Sequence, residues 1–385
     1  MKIFMIHPHD IERDPWTIRI TALAEKIVEK GHHVTICYFC DPDAIAGGRV
    51  KFQEFTHYNI ELVKLERTRK SFFKNIKKTI KKSRGFDIIH LQKCFAHAVL
   101  PALYASLINK IPVHYDWDDN ETAIAYDCIP SRLIVSEKSI FESLLLFFST
   151  TISTASENLK QKALNAGFPS ERIVDAPVGA DLELFSPAEN IEKLKKSLKL
   201  SDEVVIYQGQ LEGGNYAKIF VSAASHVLSK RENVTFVIVG GGFRLKEIKE
   251  SAKLAGVENK ITFTGFIKQE KVAEYIKASD VCVATFEKNE ITVAKSPLKI
   301  AEYLASGKPI VASDVGDVSK MVGDAGILVP PGDIQKTAEA MLTLLNDKEK
   351  RLKYSVTARQ RAETIYNWES TSNNIISAYK IALGS

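Results

Sequence analysis

The sequence predicts an α/β protein built from two doubly wound parallel-sheet domains. Short apolar strands alternate with helical periodicity from end to end, 385 residues exceed one ordinary core, and one break in periodicity falls near the middle. At roughly 150 residues per domain, the length suggests two domains. With 45% hydrophobic and 26% charged residues, and no repeat or low-complexity tract, the composition is that of a soluble globular protein.

In chain order, "MKIFMIHPHD" has one lysine and a few apolar residues before His7 and Asp10, so it reads as a strand. It does not read as a signal peptide, and a cytoplasmic protein is expected. The next strands are "VTICYF", "DIIHL", "PVHY" and "TTIST". "SIFESLLLFFST" (Ser139 to Thr150) falls short of the roughly 20 residues of a bilayer span and is expected to be a buried core helix. Pro177, Gly179 and Pro187 interrupt the pattern in "APVGADLELFSPAEN", which places the boundary between residues 187 and 188. A second run of strands follows: "VVIYQ", "VTFVIV", "ITFTG", "VCVAT", "PIVAS" and "GILV". In such sheets ligands bind beyond the carboxyl ends of the strands, here in a cleft expected between the domains.

Five cysteines, an odd number inside apolar runs, argue for a reducing compartment. Cys37 and Cys40 have no second ligand pair and are expected to pack as small apolar residues instead of holding zinc. The net charge of +5 is uneven. Lys64 to Arg84 hold ten Lys/Arg and one Glu, a local +9, which leaves about −4 elsewhere. Phe72, Phe73, Ile76 and Ile80 recur there at helical spacing. That pattern suits a helix lying on an anionic membrane surface, and equally one packing its stripe on its own sheet. No aromatic platform or known motif accompanies the charge, so nucleic acid is not an expected partner.

The densest chemistry lies in "AKSPLKIAEYLASGKPIVASDVG". Ser296 is expected to cap a helix that begins at Pro297 and stops at Gly307, just beyond the strand "VCVAT". The amides of Leu298 and Lys299, the helix dipole and the Lys299 ammonium suit a diphosphate. Glu302, one turn on, can accept from both hydroxyls of a ribose. Gly209, Gly213 and Gly214 follow the first strand of this half, and Gly240 to Gly242 the second. Gly265 and Phe266 follow the third and offer an edge for a base. Glycine at a strand end lets phosphate approach the backbone.

These segments resemble the retaining, metal-independent, nucleotide-sugar-dependent glycosyltransferases of the GT-B fold, group 1 or family 4. "EKGHHVTIC", "FDIIHLQ", "IPVHYDWDD", "APVGADLELFSP", "VIVGGGF", "SPLKIAEYLASGKPIVASDVG", "GILVPPGD" and "YNWESTSNNIISAY" carry the resemblance over almost the whole chain. It implies two Rossmann-like domains: an acceptor-binding domain over 1–187, with a terminal helix from about 365–385 crossing back to it, and a donor-binding domain over 188–364. It implies a nucleotide sugar as donor, UDP-linked by first expectation, a glycan or lipid-linked acceptor, and neither cofactor nor metal.

The resemblance makes Glu302 the ribose-binding second glutamate of a Glu-x7-Glu pair; the first falls at Ala294, with Glu287 or Glu290 as substitutes. The family's Arg and Lys diphosphate clamp falls on Gln210 and Asn215, so Lys218, Lys295 and Lys299 are the expected replacements. The family's His-Asp pair becomes Asp118-Asp119, beside the reacting sugar or else in a helix-capping loop. The family's glycine-rich loop after the first strand is replaced by "HPHDIERDPWTIR". His7, His9, Arg13, Trp16 and Arg19 are therefore candidates for the acceptor side, with Trp16 as a stacking face. The losses at Gln210, Asn215 and Ala294 leave a catalytically degenerate binding protein as the second reading. A sugar-nucleotide epimerase is the third.

Overall fold

The computed structural model describes residues 1–42, 55, 57, 59–128, 131–214 and 216–384. Contacts divide the chain into two units, Met1–Pro177 with Trp368–Ser385, and Val178–Asn367. Residues 178–187, assigned from the sequence to the first domain, thus pack with the second. Phe185 is buried there, and Arg359 donates to the carbonyls of Leu182 and Phe185 at 3.2 Å each.

The first unit holds a seven-stranded parallel sheet of β1 (Lys2–His7), β2 (His33–Cys40), β3 (Ile60–Glu66), β4 (Ile88–Gln92), β5 (Val113–Trp117), β6 (Thr151–Thr154) and β7 (Ile173–Asp175). Their order is β3-β2-β1-β4-β5-β6-β7. The chain winds outward from β1 and returns beside it as β4, so the strand order reverses where His7 and Gln92 end their strands, the place where such sheets bind ligands. β1, β2 and β4 are buried on both faces, as their β-branched runs require. The helix Trp368–Leu383 belongs to this unit; Thr371 donates to Pro177 O at 2.9 Å and Tyr379 Oη meets His90 Nδ1 at 2.8 Å.

The second unit holds six parallel strands: β8 (Glu203–Gln208), β9 (Val234–Val239), β10 (Ile261–Gly265), β11 (Val281–Ala284), β12 (Ile310–Ser313) and β13 (Gly326–Val329). The order β10-β9-β8-β11-β12-β13 puts its reversal between β8 and β11.

One alternative left open by the sequence is decided here, and one expectation is corrected. The basic run is split between edge strand β3 and the helix Phe72–Lys82, whose Ile76 and Thr79 face inward while Phe73 is 74% exposed. The inner part of the stripe therefore packs on its own domain, and the outer face carries lysines around exposed Phe73. The helix Arg132–Phe148 is not a wholly buried core helix either: Leu145 is buried, but Leu133, Ile140 and Phe147, seven residues apart, lie on an exposed face. Among the described residues Cys37, Cys40, Cys94 and Cys282 are free and buried, and no helix is long and apolar enough to cross a membrane.

Candidate functional site

In the second unit the glycine loops predicted at three strand ends meet in one place. Gly209 N–H donates to Val239 O at 2.9 Å, Leu211 N–H to Gly241 O at 2.9 Å, and Gly240 N–H to Gly265 O at 3.1 Å. The fit leaves no room for side chains. A Cβ on Gly240 would stand 2.0 Å from Gly209 O, and one on Gly241 2.9 Å from the ring of Phe266. Phe266, 58% exposed, covers Gly241.

The helix Leu298–Ala305 begins beside this hub. Its first internal bond runs from Ile300 N–H to Pro297 O, so the Leu298 and Lys299 amides lie ahead of the ladder. Its far end closes as a Schellman motif: Gly307 has φ +61°, Gly307 N–H reaches Leu304 O and Lys308 N–H reaches Tyr303 O. Ser296 is not the N-cap. Pro297 holds that position without a side-chain bond, and Ser296 Oγ instead accepts from Val178 N–H at 3.1 Å, a tertiary partner displacing the local one.

The Lys299 ammonium reaches back to Gly209, where an added Cβ would be 2.7 Å from Nζ, and it lies 4.3 Å from the centroid of the Tyr207 ring. Burial and then the Lys295 charge lower its pKa to about 7. Glu302 is 2% exposed, and burial raises its carboxyl to about 8 despite Gln269 and Lys299. Its Oε2 makes no hydrogen bond, and neither does buried Gln208 Oε1 at the end of β8. Tyr303 Oη fixes the local backbone by accepting from Gln208 N–H at 2.9 Å.

Of the expected clamp replacements, Lys218 does not point at the hub unpaired: it forms an ion pair with Glu247. Gln210 is exposed, Ala294 is fully buried, and Asn215 lies outside the described residues. Sequence reasoning missed Arg244. It follows the turn Gly240 to Gly242, pairs with Glu247 at 2.8 Å and donates to Gly214 O. An arginine two residues past a glycine turn was the available signal.

In the first unit Asp118 and Asp119, just beyond β5, converge on a residue that sequence reasoning passed over. Lys93, one residue after β4, is 4% exposed and left-handed at φ +66°. Its Nζ lies 3.4 Å from Asp118, 3.0 Å from Asp119 and 2.7 Å from Glu121. These are the same three carboxylates whose oxygens could surround a metal ion; here a lysine supplies the cation. Gln92 donates to Asp118 Oδ2 at 2.6 Å. Burial raises Asp118 to about 7, Lys93 opposing and Asp119 adding to the rise.

His7, His9 and Trp16 come together as an edge-to-face aromatic cluster with Phe95, His9 lying 4.8 Å from Phe95 and 5.6 Å from Trp16. Burial, reinforced by the Lys93 charge, holds both histidines neutral. Arg13 turns to Asp10 at 3.3 Å and Glu12 at 3.5 Å. Arg19 corrects the sequence expectation: it lies in the core, bonded to both oxygens of Asp116 at 2.7 and 2.8 Å and to Ala176 O at 2.9 Å. A side chain so committed does not line an acceptor surface.

Residues 202–347 match the family described as Glycosyl transferases group 1, and residues 17–184 match Glycosyltransferase Family 4. Over 228 residues the chain is 29% identical to D-inositol 3-phosphate glycosyltransferase of Corynebacterium glutamicum (strain R), covering 56% of this chain and 53% of that protein. Alpha-D-kanosaminyltransferase of Streptomyces kanamyceticus is 25% identical over 49% of this chain and 48% of its own. The chain thus spans about half the length of these two relatives. It is 25% identical to spore coat protein SA of Bacillus subtilis (strain 168) over 94% of this chain and 93% of that one. Among solved structures, Anabaena HepE with UDP and glucose has a TM-score of 0.75 at 18% identity, covering 98% of both chains. Sucrose-phosphate synthase of Thermosynechococcus elongatus has 0.76 at 19%, covering 99% of this chain and 98% of that one.

The two parallel-sheet units and these likenesses define a GT-B fold. The chain belongs to the group 1, family 4 glycosyltransferases.

Proposed function

We propose that the chain transfers a sugar, with retention, from a nucleoside-diphosphate donor to a glycan or lipid-linked acceptor of cell-surface polysaccharide or glycoconjugate synthesis. One observation carries this reading: Gly209, Gly240 to Gly242, Gly265 and Lys299 converge at one set of strand ends, with Glu302 one helical turn away. A diphosphate meets backbone without Cβ atoms and a lysine ready to take a full charge; a ribose meets Glu302, whose Oε2 has no other partner. HepE was solved with UDP and with UDP-glucose, which makes uracil the first base to test.

Retention of configuration needs no protein base in this reading. The departing diphosphate takes the acceptor's proton on the face it leaves, while Asp118 and Asp119 stabilise positive charge developing on the sugar ring. The first unit then holds the acceptor through His7, His9 and Trp16. A membrane-borne acceptor is supported by the cationic face of the helix Phe72–Lys82, where Lys74, Lys77 and Lys81 form no ion pair with a described residue. Catalysis on the inner face of the membrane follows from that reading.

A second reading, a binding protein without transfer, is favoured by Ala294, whose complete burial leaves no place for the sugar-contacting glutamate. Calorimetric titration with UDP, GDP, ADP and UDP-glucose tests both. Micromolar binding of one nucleotide, lost in Glu302→Ala, supports the donor site; release of UDP and free or transferred glucose then separates enzyme from binder. Binding of none refutes the donor reading.

A further inference from the structure

The family pattern lacks its two phosphate-clamping cations here, yet two others converge on a single carboxylate beside the same loop. Arg244 begins the helix Leu245–Leu254 and Lys218 lies in the first turn of the helix Tyr216–Leu228. Arg244 places Nε 2.8 Å from one oxygen of Glu247 and Nη2 3.3 Å from the other, and Lys218 Nζ binds the same group. Arg244 is also fastened to the loop after β8: its N–H donates to Leu211 O at 3.1 Å and its guanidinium to Gly214 O. A carboxylate bridging a guanidinium and an ammonium occupies the position a phosphate would take, since the guanidinium fork pairs with carboxylate and phosphate oxygens alike and the ammonium pairs with either as a point charge. Glu247 is the exposed member, at 46% against 19% for Arg244 and 32% for Lys218, so it is the one able to leave.

We propose that Arg244 and Lys218 form the diphosphate clamp of this chain, and that Glu247 occupies the clamp until the donor displaces it. The proposal rests on the donor-site reading above. It adds a replacement for the residues lost at Gln210 and Asn215 and a built-in competitor that sets donor affinity. An Arg244–Glu247 pair in a helix's first turn would form without any ligand, for the carboxylate suits the helix dipole. The convergence of Lys218 from a second helix, and of Gly214 from the loop, is what that local explanation lacks.

The test is calorimetric titration of the full chain with UDP and with uridine, which has the same base and ribose but no phosphate. Arg244→Gln weakens UDP about tenfold, the loss of one exposed charge-assisted contact, and leaves uridine unchanged. Glu247→Gln strengthens UDP several-fold, again without effect on uridine, and both variants keep the wild-type unfolding temperature within a few degrees. If Arg244→Gln leaves UDP affinity intact, or Glu247→Gln weakens it, the three residues form only a helix-start ion network and the proposal falls. Loss of UDP binding in Glu302→Ala, with none in Arg244→Gln, would keep the donor site and overturn the clamp. A wild-type protein that binds no nucleotide overturns both.

Discussion

Glu302→Gln should make the ligand-free protein more stable, and only above a definable pH. Glu302 is 2% exposed, its Oε2 has no hydrogen-bond partner, and burial raises its carboxyl from the ordinary 4.5 to about 8. The folded state therefore holds this proton more tightly than the unfolded state does. Its contribution to stability is complete below about 4.5 and is lost as pH rises through about 8. At pH 7 the unfolded chain has gained solvation of a free carboxylate that the fold denies. Over the 2.5 units between 4.5 and pH 7, at about 1.36 kcal/mol per unit, the loss is about 3 kcal/mol. Glutamine has the same shape and no proton to lose, so the variant escapes this term. The expected gain is about 1–3 kcal/mol, or several degrees of unfolding temperature. Unfolding should be followed from pH 5 to pH 8.5 in both proteins, with the gap opening as pH rises and closing near pH 5. A gap that is absent, or equal at every pH, would refute the argument that Glu302 is held against its charge.

Three further outcomes follow from named contacts. Arg19→Leu leaves Asp116 charged and buried without its partner, and should destabilise the protein by about 3–5 kcal/mol in urea unfolding; a change under 1 kcal/mol would mean the pair is not held as described. His90, fully buried, has its pKa lowered to about 4 by burial, so its contribution is present above 6.5 and is lost as pH falls towards 4, by up to about 3 kcal/mol. Comparing wild type with His90→Asn at pH 7 and pH 4.5 should show a smaller acid loss in the variant. Gly240→Ala drives a Cβ into Gly209 O and should unfold the hub, whereas Gly241→Ala meets first the movable ring of Phe266, with the Phe266 backbone nitrogen at 3.2 Å, and should leave folding intact while weakening UDP binding.

Every strand of the second sheet and five of the seven in the first are readable in the sequence, because each is a local apolar run between turn residues. β3 escaped because "IELVKLE" merges into the basic run, and β7 because three residues carry no periodicity. The meeting of the glycine loops was legible for the same local reason: glycine immediately after a strand marks a constraint set by its neighbours. Ser296 shows the limit of that reasoning, since its best local role, capping, yields to Val178 from 118 residues away. The charged pairs were out of reach altogether. Arg19 finds Asp116 across 97 residues and Lys218 finds Glu247 across two helices, and nothing in the spacing of charges announces either. Their cost of desolvation is met only once the fold has brought the partners together.

Lys93 is the sharpest case, because its backbone as well as its charge is set against ordinary preference. A lysine at φ +66° is strained by about 1 kcal/mol, and its ammonium is buried. Three carboxylates within 3.4 Å hold it there, and one cation cannot neutralise three anions. The excess negative charge is relieved at Asp118, whose pKa burial raises to about 7, with the Asp119 charge adding to the rise. Lys93→Met removes the largest attraction opposing that rise, so Asp118 must bind its proton more tightly still. Stability should fall by several kcal/mol at pH 8, where all three carboxylates are charged in the unfolded chain and crowded in the folded one. At pH 5.5 Asp118 carries a proton in both folded proteins, whereas at pH 8 only the variant still holds it, so the deficit should differ between the two pH values by about 1.4 kcal/mol, the worth of the one pH unit between 7 and 8. Urea unfolding at the two pH values decides the matter: a deficit of equal size at both would mean that Lys93 acts by packing alone and that Asp118 does not take up the charge it leaves behind.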